Sequence, residues 1–225
     1  MVRVLGGLLV LVVTFASSAA SAQVSVWLQK GVSGVGASVG VVHSDGDTGV
    51  QLEGGYSYEG FLDLGLTLGK HDLSTDANPD LIDYEVEPTI EFHPLKQTKE
   101  MPISLSVGTA YGRSFISSDE LNAAGISVSA WRFTVASFVY RFVRINERVG
   151  VIPTLGAGWV YSSSTLSRAG DDDITVSDDG PRVLIGANLA VLDHANHIWG
   201  IAPLLSFGHG STAFGIAVNF VAPMP

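Results

Sequence analysis

From about residue 34 to the C-terminus, apolar and polar positions alternate with a period of two. Within 81–93, Ile82, Tyr84, Val86, Pro88, Ile90 and Phe92 fall on one face. Asp83, Glu85, Glu87, Thr89, Glu91 and His93 fall on the other. Successive side chains of an extended chain point to opposite sides, so this pattern predicts a two-faced strand and not a helix. The same alternation marks ten segments: 34–43, 48–58, 61–70, 81–93, 102–112, 126–142, 149–161, 181–192, 197–207 and 211–221. Most approach the roughly 9–11 residues that a tilted strand needs to cross a bilayer. In the sixth segment Trp131, Phe133 and Val135 share a face that Phe138, Tyr140 and Phe142 continue only after a slip. A bulge is therefore expected near Ala136–Ser137.

The connections alternate as well. Those at 57–60, 94–101, 144–149 and 193–196 are compact, whereas 70–80, 113–124 and 162–180 are longer and polar. The first and last connections of the long class, around Asp45-Gly46-Asp47 and His209-Gly210, are short exceptions. Short turns at one end and longer loops at the other are the hairpin pattern of an outer-membrane barrel. The expected fold is all-β: a transmembrane antiparallel up-and-down β-barrel of ten strands, with eight as the alternative. Its short turns are expected in the periplasm and its long loops outside the cell. Pro88, Pro153 and Pro203 lie inside strands of a sheet without edges, so each is expected at a bulge or a locally frayed register. Residues 24–29 also alternate, and are expected to extend the first strand or to form a separate periplasmic segment.

Composition sharpens this picture. Hydrophobic residues make up 46% of the chain and charged ones 15%, which is too apolar for disorder and charge-poor for a solvated surface. The polar strand face is mostly Gly, Ala, Ser, Thr and Asn, which suits a narrow enclosed lumen. On the apolar face, Tyr56, Tyr58, Phe92, Tyr140, Phe142, Trp199 and Phe220 lie toward the short turns. Tyr84, Tyr111, Trp131, Trp159, Tyr161 and Phe207 lie toward the long loops, giving two aromatic girdles. The one uninterrupted apolar run, Val4–Phe15, follows Arg3 and precedes the small residues Ala16–Ala22. It is too short to span a bilayer and reads as an export signal over 1–22, with Gln23 opening a single mature domain over 23–225. The chain holds 12 Lys+Arg against 22 Asp+Glu; losing Arg3 leaves 11 against 22, a net of −11. No basic stretch offers a nucleic-acid footprint. The absence of Cys excludes disulfides, thiolate zinc sites and a lipoprotein anchor.

The last strand resembles the assembly signal of bacterial outer-membrane β-barrels, a glycine followed by spaced hydrophobic residues and an aromatic. Gly215, Val218 and Phe220 match it, although Val221-Ala-Pro-Met-Pro225 follows the aromatic. The resemblance implies a membrane class and partners: outer-membrane lipids and lipopolysaccharide, the barrel-assembly machinery, and other envelope proteins.

The candidate chemistry lies on the inward face. Asp83, Glu85, Glu87 and Glu91 form a carboxylate row, joined by Glu53 and Asp63 on neighbouring strands. Arg132, Arg141 and Arg182 are expected to face them from the far side of the lumen. Such a set either lines a cation-preferring pore or forms a charge network that plugs a small barrel; the plug is the favoured reading. Asp171, Asp172, Asp173, Asp178 and Asp179 cluster in a loop that reads as a solvated acidic face, with divalent-cation binding as the sharper alternative. His209 and Ser211 are similar to the His-x-Ser pair of outer-membrane lipid A deacylases. No Asp or Glu follows Asp193 to complete a triad, and a turn at Gly210 accounts for the same residues. His71 and Asp72 are adjacent, which is not a catalytic arrangement. The expectation is a non-enzymatic barrel without cofactor or metal, presenting loops for adhesion or envelope assembly. A narrow pore is the alternative and a lipid A hydrolase the distant one.

Overall fold

The computed structural model describes residues 24–44, 47–73, 81–168, 170–208 and 211–224. The segment expected to be the export signal lies outside them. Alternation along the chain becomes a closed antiparallel barrel. Its strands are β1 (Ser33–Ser44), β2 (Asp47–Tyr58), β3 (Leu62–Asp72), β4 (Ile82–Leu95), β5 (Ser104–Ser117) and β6 (Ile126–Tyr140). They continue with β7 (Val143–Arg144), β8 (Val149–Arg168), β9 (Ile174–Leu192), β10 (Ile198–Gly208) and β11 (Ser211–Met224). Each long strand pairs with its sequence neighbours, β1 pairs with β11, and β6 pairs with β8 to complete the ring. Ten strands make the wall, and the two-residue β7 adds a short rim on β8.

Closure leaves one face of every strand outside. Leu52, Leu66, Ile90, Leu155, Ile185 and Ile216 are exposed there, while Ser38, Glu53, Thr67, Glu87, Ser106 and Asn219 are buried inside. A belt of exposed aliphatic side chains circling a polar interior is the inverse of a water-soluble protein, and lipid is the solvent it suits. Aromatic side chains flank the belt: Tyr58, Phe92 and Trp199 toward the short turns, and Tyr84, Tyr111, Trp159 and Phe207 toward the long loops. Phe142, expected among the former, instead lies over Gly150 on the inner side.

Several expectations change. No bulge occurs near Ala136: β6 keeps one continuous register with both β5 and β8. Phe138 and Tyr140 accordingly point into the lumen, not to lipid. The reason is local volume, because a Cβ on Gly156 would lie 2.5 Å from the Phe138 ring, so the missing side chain makes the ring's room. The loop expected over 162–180 is mostly strand. β8 and β9 run on for 20 and 19 residues and project beyond the other hairpins. Ser163–Ser177 and Thr165–Thr175 hydroxyl pairs link this extension across the strands.

The three prolines fit their expectation. Pro88 and Pro203 fall where one ladder loses two residue pairs yet resumes in the same register, and Pro153 sits at the break between β6 and β7. The register shift in β4 comes instead between Phe92 and Leu95. Residues 24–29 neither extend β1 nor stand apart. α1 (Val24–Trp27) turns back through Gly31, at φ +86°, and tucks into the short-turn end of the barrel.

Candidate functional site

The inward face of β4 supplies the acidic row, as the alternation requires. Asp83, Glu85, Glu87 and Glu91 are all buried in the lumen, with Glu53 on β2 and Asp63 on β3 beside them. Arg132 on β6 reaches back along the wall to this row, donating from Nη2 to Glu85 Oε1 and to Glu87 Oε2, each at 2.5 Å. It comes from two strands away and not from the far side. The bridge passes over β5 at Gly112, where a Cβ would sit 2.6 Å from Glu85 Oε1 and 3.1 Å from Glu87 Oε2. Glycine on the intervening strand is what lets the guanidinium meet both carboxylates.

Two further groups extend the network along the barrel axis. Toward the long loops, His71 Nε2 lies 3.6 Å from Glu85, and Ser114 donates to Asp83 at 3.2 Å. Toward the short turns, His93 Nε2 lies 3.3 Å from Asp63 and 3.7 Å from Glu91, while its Nδ1 shares a 2.9 Å hydrogen bond with the Tyr140 hydroxyl. Arg182, on β9, is on the opposite wall. Its Nη2 donates to Ser211 Oγ at 3.3 Å, and with Glu87, Glu91 and Phe138 it lines a cavity of about 60 Å³, room for a few waters. Arg141 departs from expectation: it lies past the end of β6 and is exposed, so it is no part of the lumen.

Apolar side chains cluster at both ends of the lumen. At the long-loop end, Ser118 caps α2 (Asp119–Ala123) by accepting from the Leu121 amide, and Leu121 turns inward onto Leu73, Leu81, Ile116, Val128 and Leu166. At the short-turn end, Val26 packs on Tyr140 and Ile152, and Leu28 on Val221. Trp27 lies over Gly200, whose Cβ would come within 3.0 Å of the indole. Lys96, at this end, has its ammonium pushed down to about 8 by burial, against the opposing pull of Asp63 and Glu91.

The remaining candidates separate. Asp171, Asp172 and Asp173 are exposed in the turn of the β8–β9 hairpin, whereas Asp178 and Asp179 stand on β9 itself. Adjacent strand positions face opposite ways, and Asp179 accepts from Trp159 Nε1 at 2.9 Å while Asp171 lies 3.7 Å from Arg168. The five carboxylates therefore do not converge as a loop site; among the described residues no group of three or more His, Asp and Glu side chains could hold a metal ion. Ser211 donates to the Gly208 carbonyl at 3.2 Å; His209 lies outside the described residues. His71 faces the lumen and Asp72 the outside, so they form no pair. On β11, Gly215 faces in, Val218 faces out, and Phe220 packs at a tilt against Trp199 with ring centroids 4.8 Å apart. Residues beyond this aromatic are wall and not tail: Val221–Met224 pair with Ser33–Gly36.

His93, Tyr140 and the glycine under the Arg132 bridge were not singled out from the sequence. His93 was legible as an inward position of β4; Tyr140 was hidden by the expected bulge.

No family model and no curated protein matches the chain. Among solved structures, the translocator domain of the autotransporter NalP from Neisseria meningitidis is similar with a TM-score of 0.52 at 10% identity, over 86% of this chain and 88% of that one. The β domain of the Bordetella autotransporter BrkA gives 0.47 at 12% identity, over 84% and 98%. Ail, the attachment invasion locus protein of Yersinia pestis, gives 0.38 at 15%, over 87% and 100%. The likeness to the NalP domain is one of fold: this chain is a β-barrel of the outer-membrane type.

Proposed function

We propose that the protein is a non-conducting integral outer-membrane barrel that presents its projecting long-loop end outside the cell, for adhesion or as a component of an envelope assembly. The observation that supports this reading is the apolar cluster at each end of the lumen. The Leu73–Leu121 cluster fills one mouth and α1 the other, and the charged interior between them is cross-linked through Arg132 and His93. Such an interior makes a stiff post and a poor conduit. The β8–β9 hairpin is the tallest feature of that post, with an acidic exposed tip. Outer-membrane lipids and lipopolysaccharide surround the belt, and the assembly machinery engages β11. The role is non-enzymatic.

Because the chain has no Cys, single cysteines report topology cleanly. Asp172→Cys in the hairpin turn is expected to react with a membrane-impermeant maleimide on intact cells. Asn146→Cys, in a short turn, is expected to react only after the outer membrane is permeabilised. The reverse pattern, or labelling of both on intact cells, would overturn the proposal.

A further inference from the structure

The short-turn mouth is charged quite unlike the rest of the molecule. In a chain with 22 acidic residues and a net charge of −10, six of the 12 Lys and Arg residues line one concavity, Lys30, Lys96, Lys99, Arg141, Arg144 and Arg148, against one acid, Glu147. Among the described residues, no carboxylate pairs with Lys30, Lys99, Arg141, Arg144 or Arg148. The concavity has a volume of about 940 Å³, at the top of the range of ligand sites.

Its walls are held in place by side chains bonded to the main chain. Gln97 clamps the turn after β4 to the end of β6, donating to the Phe142 carbonyl at 3.1 Å and accepting from the Phe142 amide at 2.7 Å. This clamp fixes Lys96 and Lys99 opposite Arg141 and Arg144. Arg144 sits on β7, which continues the β6 pairing with β8 in the same register, and Asn146 accepts from the Arg148 amide at 2.9 Å. Cations gathered around one concavity raise the local potential and attract an anion.

We propose that this mouth binds an acidic peptide segment. The cations supply one half of the argument and the floor supplies the other. Trp27, Leu28, Tyr140, Phe142 and Val149 line the same concavity, so a ligand that alternates carboxylates with apolar side chains satisfies both. The bases share this concavity with Trp27 and Leu28 at the short-turn rim of the barrel. The site lies at the far end from the projecting hairpin, whichever end faces out.

The test uses purified full-length mature protein in zwitterionic detergent and a fluorescently labelled peptide alternating Glu with Leu. Saturable binding that weakens steeply with salt is expected, and the same peptide with Gln for Glu is expected not to bind. Reversing three walls together, Arg141→Glu, Arg144→Glu and Arg148→Glu, is expected to weaken binding about a hundredfold. Lys30→Glu with Lys99→Glu is expected to weaken it independently, and Arg168→Glu, at the other end, to leave it unchanged. The heat-dependent gel mobility of each variant reports that the barrel has formed. Absence of saturable binding, equal binding of the Gln peptide, or indifference to both sets of reversals would overturn the proposal. Displacement of the peptide by phosphatidylglycerol in mixed micelles, with the same variant sensitivity, would overturn it in favour of a lipid headgroup.

Discussion

Replacing Arg132 by Met keeps most of the side chain's stem and removes the charge that two carboxylates share. Glu85 is 4% exposed, Glu87 2% and Arg132 6%, so solvent has little access to any of the three. Both ion pairs measure 2.5 Å and use the same Nη2. Breaking a buried pair by removing one partner costs about 3–5 kcal/mol, chiefly because the remaining charge stays buried. Two charges are stranded here, which places the loss toward the upper end of that range. The same reasoning predicts a rescue. Adding Glu85→Gln and Glu87→Gln removes the stranded charges and is expected to restore most of the stability, since buried ion networks often add little over neutral replacements. Urea unfolding in lipid vesicles, followed by Trp fluorescence and checked by heat-dependent gel mobility, measures both variants. An Arg132→Met barrel within about 1 kcal/mol of wild type would refute the reasoning, as would a triple variant no more stable than the single one.

Three other perturbations follow. Ile185 is 51% exposed on the apolar belt, so Ile185→Arg is expected to cost about 2–4 kcal/mol near mid-membrane, and Asn188→Arg, on the lumen side, less; equal tolerance in vesicle unfolding would contradict the assignment of faces. Gly112→Ala places a methyl against Glu85 and Glu87 under the Arg132 bridge and is expected to cost about 1–3 kcal/mol, read in the same assay. In the exposed turn after β9, slight desolvation of Asp193 is outweighed by hydrogen bonds from the amides of His197 and Ala195 and from the side chains of His197 and Trp199, which hold its carboxyl below the usual range. A carboxyl lowered in the folded state stabilises above its ordinary pKa and loses that contribution as pH falls through its folded value, so Asp193→Asn is expected to flatten the stability profile below about pH 4.

The sequence made the barrel legible because a membrane strand must alternate wherever lipid lies on one side and a polar lumen on the other. Ile185 and Asn188 are placed by that rule alone. It loses its grip where the environment is no longer two-sided. Ile116 and Leu166 are apolar residues facing inward, because the lumen end they fill is dry. Residues 162–180 have no apolar face because no lipid reaches the projecting hairpin. Their strands are marked by Ser and Thr pairs that a hydrophobic pattern does not register. The charge row on β4 was visible residue by residue, but its partner geometry was not. Arg132 lies two strands away because β5 intervenes with Gly112, a relation set by register and invisible to spacing along the chain. For the same reason Arg141 was misplaced: it follows Tyr140 past the point where β6 ends. The segment at Val26–Leu28 alternates like a strand, yet Gly31 reverses the chain and directs it into the barrel mouth.

The closed lumen is most directly tested by single-channel recording of the purified full-length barrel in planar bilayers. The account predicts a silent membrane across a wide voltage range, because Leu121 and its neighbours fill one mouth and Val26, Trp27 and Leu28 the other. Steady, reproducible conductance steps from the wild-type protein would contradict it.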